Sequence, residues 1–118
     1  MISVMEMEEP DPRRMSARRQ VSLQATVEYL CPDGGWFPVR AWVTEVSAQG
    51  MRLRVPREAT ISQRDELHIF IHKHGIEATG KVSHVLEPAD SHVATALGVK
   101  LTEISSQHYE LWRRLVEA

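Results

Sequence analysis

Apolar and polar residues alternate over most of the chain. Val21, Leu23, Ala25, Val27 and Tyr29 alternate with Ser22, Gln24, Thr26 and Glu28, the period of a strand with one buried face. Pro32-Asp33-Gly34-Gly35 then reads as a turn. A second strand follows, with Phe37, Val39, Ala41 and Val43 on one face and Arg40, Trp42 and Thr44 on the other, and it is expected to pair back on the first. After a polar turn over residues 47–50, Met51, Leu53 and Val55 form a third strand that Pro56 stops. Residues 57–65 are a polar crossing. Leu67, Ile69 and Ile71 make a fourth strand. Residues 76–86 make a fifth, with Ala78, Val82 and His84 expected on one face. Val93, Thr95, Leu97, Val99 and Leu101 make the sixth.

Only the end of the chain changes period. Ile104, His108, Leu111, Trp112 and Leu115 fall at helical spacing, and Ser105 suits an N-cap. Six short strands followed by one amphipathic helix predict a small antiparallel barrel or sandwich with the helix packed on it. Trp112 is the expected anchor of that helix. Trp42 stands on the polar face of its strand, and Trp36 in the turn receives no assignment.

A chain of 118 residues is one domain on length, and 42% hydrophobic residues suffice for a single core. A net charge of -2 argues against a protein that grips nucleic acid backbone. Few aromatics interleave with basic residues, so a single-strand-binding barrel ranks last. Cys31 is the one cysteine, which excludes an internal disulfide, fits a reducing cytoplasm and reads as a strand-end residue. No apolar run reaches the roughly 18 residues that a membrane helix needs, and no signal-peptide pattern is present, so neither membrane insertion nor export is expected. Residues 1–12 read as a flexible acidic tail and 13–20 as an arginine-rich linker carrying Arg13, Arg14, Arg18 and Arg19.

Candidate chemistry is sparse. His68, His72 and His74 share a strand parity, but two of them approach a loop, so exposed polar positions explain them better than a metal site. No paired carboxylates, glycine-rich phosphate loop or nucleophilic constellation stands out, and no enzyme is expected.

Two polar segments remain. Arg14-Met15-Ser16-Ala17-Arg18 is an R-x-x-x-R spacing. About thirty residues on, Glu45-Val46-Ser47-Ala48-Gln49-Gly50 matches D/N-x-S-x-x-G except at its first position. With Gly98-Val99-Lys100-Leu101, similar to a G-V-K/R-F strand ending, these segments resemble the PilZ domain family of bacterial cyclic di-GMP receptors. The resemblance implies a six-stranded antiparallel β-barrel over 21–103 with a C-terminal helix over 104–117, the whole domain spanning 13–118. It also implies cyclic di-GMP as the ligand. Arg14 and Arg18 would wrap it, with Arg13 beside them and Arg19 as a secondary candidate. Ser47 would donate to a phosphate or a base edge, Gly50 would leave room for a flat ring, and position 45 would face the guanine edge. Arg52 and Gly98 are further secondary candidates.

The chemistry suits such a ligand, which carries two phosphates and two guanines. Arginine offers a bidentate fork, donors to guanine O6 and N7, and a plane that stacks. Glu45 keeps the family's carboxylate and adds a methylene. The expected function is a stand-alone cytoplasmic receptor, monomeric or weakly dimeric. On binding it would order its N-terminal linker and signal to an effector protein, for instance in motility or surface-structure regulation. The alternative is a degenerate adaptor that acts through protein contacts without nucleotide.

Overall fold

The computed structural model describes residues 2–3, 18–86 and 94–118. Strands β2 (Arg18–Leu30), β3 (Trp36–Ser47), β4 (Gly50–Pro56), β5 (Glu66–Ile71), β6 (Ile76–Leu86) and β7 (Ala94–Ile104) form one antiparallel sheet ordered β7-β4-β3-β2-β5-β6. A further β6–β7 pairing closes it into a six-stranded barrel, which decides between the barrel and the sandwich that the alternation left open and agrees with the resemblance. A two-residue strand, β1 (Ile2–Ser3), continues the β4 edge of β7 by pairing with Ile104 and Glu103. The rest of the expected tail, the linker residues 13–17, and Val93 of the sixth strand lie outside the described residues.

Inward residues of every barrel strand make the core, among them Val27, Val43, Leu53, Leu67, Ile76, Leu97 and Leu101. Helix α1 (Ser106–Glu117) packs on the barrel through Trp112 and Leu115, which join its core. Ser105 is its N-cap, with its hydroxyl accepting from the His108 N–H at 3.1 Å. Trp112 is fully buried, as expected of the anchor. Ile104 belongs to β7 rather than to the helix: it pairs with Ala78, and a register shift between Leu101 and Glu103 lets both Leu101 and Ile104 face the core.

Four departures from the expected pattern bear on the hairpin tip and the site. First, β2 begins at Arg18, so Arg18, Arg19 and Gln20 are strand residues rather than linker. They pair with Ser47, Val46 and Glu45. Second, Phe37 was expected inside and is 54% exposed. β4 meets β3 only from Trp42 onward, so the tip of the β2–β3 hairpin extends beyond the barrel. There Trp36 stacks on His68 with ring centroids 4.1 Å apart.

Third, His84 does not share a face with Val82. A register shift between them turns His84 outward, opposite Gly98. Fourth, a shift between Val43 and Glu45 inserts one extra residue into β3 relative to β4. Val43 and Val46 therefore both face the core, and Glu45 turns to the outer face.

The histidines go separate ways. His68 packs on Trp36, while His72 hydrogen-bonds the Thr26 hydroxyl at 2.8 Å. Among the described residues no group of three His, Cys, Asp or Glu side chains is arranged to hold a metal ion. No helix among them is long and apolar enough to cross a membrane.

Candidate functional site

Strand register alone assembles the site. Directly paired residues project to the same side of a sheet. One row on the outer face runs Gln20, Glu45, Arg52, Gly98 and His84 across β2, β3, β4, β7 and β6. The neighbouring row runs Arg18, Ser47, Gly50 and Lys100. Together they surround an open depression of about 330 Å³ whose lining includes Arg18, Glu45, Ser47, Gly50, Arg52 and Gly98. Six of the nine residues nominated from the sequence thus stand together.

Arg13 and Arg14 lie outside the described residues. Arg19 goes elsewhere. It pairs with Val46, so it projects to the opposite side, where its Nη1 donates to the Leu115 carbonyl at 2.6 Å near the end of α1. Ser83 and His84 also line the depression and were not nominated. Only the β6–β7 pairing places them there, and no local pattern in β6 announces it.

The polar groups of the Ser47 turn and of Glu45 have definite partners. The Ser47 hydroxyl donates to the Gly50 carbonyl at 3.3 Å across the β3–β4 turn. The Ser47 carbonyl accepts from Trp112 Nε1 at 3.1 Å, which ties the turn to the helix. Glu45 is only 9% exposed. Its Oε1 lies 3.7 Å from Arg18 Nη1 and its Oε2 3.6 Å from Arg52 Nη1. A carboxylate removed from water needs such compensation. Both arginines remain largely solvated, with side chains 66% and 45% exposed.

The two glycines differ in what they permit. A Cβ on Gly50 would collide with the Val99 carbonyl oxygen, so glycine is required there by the close approach of β4 to β7. Its backbone is not left-handed, and close approach rather than turn geometry explains it. A Cβ on Gly98 would meet only the Ser83 hydroxyl at 3.4 Å and His84 Cβ at 3.7 Å, ordinary contacts. Packing does not demand glycine at position 98. Its absent side chain leaves a flat patch of backbone beside two cations, a surface fit for a planar ring next to an anionic group.

No curated protein matches the chain at the sequence level. Among solved structures, the barrel is similar to the Bacillus subtilis inhibitor of motility MotI/DgrA. The TM-score is 0.69 at 15% identity, over 91% of this chain and 50% of that one. It is also similar to the PilZ domain of Escherichia coli YcgR with c-di-GMP, at TM-score 0.58 and 10% identity, over 84% and 88% of the two chains. The K. pneumonia MrkH–c-di-GMP complex gives TM-score 0.63 at 12% identity, over 94% and 52%. The chain thus spans about half the length of the MotI/DgrA and MrkH chains. At these identities the likeness is one of fold. The family described as PilZ domain matches residues 12–118, nearly the whole sequence, and the chain belongs to that family.

Proposed function

We propose that this domain is a cyclic di-GMP receptor that works as an adaptor and not as an enzyme. The observation that carries this reading is the convergence of Arg18, Arg52, Ser47 and Gly98 on one open face. The arginines supply the charge and the planar donors for a phosphate and a guanine edge. Gly98 supplies room for a ring. Arg13 and Arg14, which precede Arg18 in the chain, would close over the ligand from the N-terminal side. Solved PilZ relatives with c-di-GMP bound, YcgR and MrkH, support the choice of ligand.

The output would be a change of surface read by an effector protein. Two bonds suit α1 to carry it. Ser47, at the site, is held to Trp112, and Arg19, next to Arg18, is held to Leu115. A ligand that shifts Arg18 and the Ser47 turn pulls on the C-terminal half of the same short helix at two points one turn apart. Soluble action in a bacterial cytoplasm, as a monomer or weak dimer, completes the proposal.

One observation favours the adaptor that binds no nucleotide. Arg18 and Arg52 already have an anion between them, the Glu45 carboxylate. Calorimetric titration with cyclic di-GMP separates the two readings. A receptor binds at micromolar concentration or tighter, and a nucleotide-free adaptor gives no heat while remaining folded.

A further inference from the structure

Glu45 departs from the family pattern, and its surroundings say what the departure does. The Val43–Glu45 register shift turns it out of the core, and it stands between its paired neighbours Gln20 and Arg52 in the outer-face row. Its carboxylate is almost covered, with only 11% of the side chain exposed. The two oxygens are divided, one toward Arg18 and one toward Arg52. This is the geometry of a small anion seated between two cations. A carboxylate offering an oxygen to an incoming base would be open to solvent, and this one is not.

We propose that Glu45 is an internal anion that takes the phosphate position between Arg18 and Arg52, so that ligand binds only by drawing both arginines from it. The proposal deepens the receptor reading and rests on it for the ligand's identity. The occupancy itself rests on the geometry alone.

Distance and exposure decide how strong the hold is. At 3.6 and 3.7 Å the contacts are Coulombic and longer than charge-assisted hydrogen bonds. Pairs with such solvated arginines are weak, each equivalent to at most about a fivefold change in an equilibrium. A phosphate gripped bidentately by guanidinium is the stronger partner. Glu45 therefore raises the ligand concentration at which the site fills without blocking it.

The two roles open to Glu45 have opposite signs. An acceptor for guanine loses affinity when neutralised, whereas an internal competitor gains it. The test uses the full chain and Glu45→Gln, titrated with cyclic di-GMP and melted with and without inorganic pyrophosphate against chloride of equal ionic strength. The expected result is cyclic di-GMP binding roughly five- to tenfold tighter in Glu45→Gln. Pyrophosphate should also raise the melting temperature of Glu45→Gln more than that of the unsubstituted chain.

Equal or weaker binding by Glu45→Gln overturns the proposal and leaves the receptor reading standing. If neither protein binds cyclic di-GMP, the receptor reading falls, and the pyrophosphate melts decide the internal anion alone. Equal stabilisation of both proteins would then reject it. Should Glu45→Gln not fold, Glu45→Asp keeps the charge but is one methylene too short to span both arginines. It is expected to tighten binding two- to threefold, and no tightening would again overturn the proposal.

Discussion

Gly50 and Gly98 look alike in the sequence and do different things. Gly50 faces the Val99 carbonyl with no room for a methyl group. Gly50→Ala is expected to destabilise the fold by about 1–3 kcal/mol, the usual range for overpacking, which thermal denaturation will show. Gly98→Ala meets only ordinary contacts. It should leave the melting temperature nearly unchanged while weakening cyclic di-GMP binding, because the added methyl group stands where the ring would lie. A melting temperature lowered as far as in Gly50→Ala would show that packing, not access, selects glycine at 98. Adjacent arginines divide in the same way. Arg18 lies on the site, and Arg19 holds the end of α1. Arg19→Ala should lower stability by about 1 kcal/mol, the loss of one hydrogen bond near a helix C-terminus, and change affinity less than twofold. Parallel melts and titrations of the two arginine variants check this division.

At the scale of elements, the strands and the helix were legible because alternation and helical period are direct traces of burial. The six runs, the Ser105 cap and the Trp112 anchor all followed from local pattern. The irregularities carried fainter traces. Val43 and Val46, three apart, already hint that one extra residue intervenes in β3, and only the pairing with β4 shows that Glu45 turns outward as a result. The His84 reversal and the route of Arg19 depend on which strands are neighbours, which no local window contains. The site was legible as motifs but not as a row, since the row exists only once five strands are in register. Trp112 links the two scales. Trp112→Phe keeps most of the packing and removes the donor to the Ser47 carbonyl. It is expected to lower stability by about 1–3 kcal/mol. If α1 reads the state of the Ser47 turn, the same change should also reduce the ligand-dependent protection of α1 amides in hydrogen exchange. Unaltered protection would remove the helix from the output path.

For the whole molecule, closure of the barrel supports the proposed switch. Pairing of β6 with β7 leaves the sheet closed, so the outer face around the depression is a continuously hydrogen-bonded platform. On the proposed reading α1, tied to Ser47 and Arg19, is the element that responds against it. The weak net charge of the chain is also consistent with a local site for a small anion rather than a surface for a long polyanion. The central claim, that this platform receives cyclic di-GMP through its arginines, is tested most directly by isothermal titration of the full chain. The comparison is with the Arg14→Ala/Arg18→Ala double variant. The account predicts micromolar or tighter binding by the unsubstituted chain and at least a tenfold loss in a double variant that remains folded. Absence of heat from the folded unsubstituted chain, or equal binding by both proteins, would contradict it.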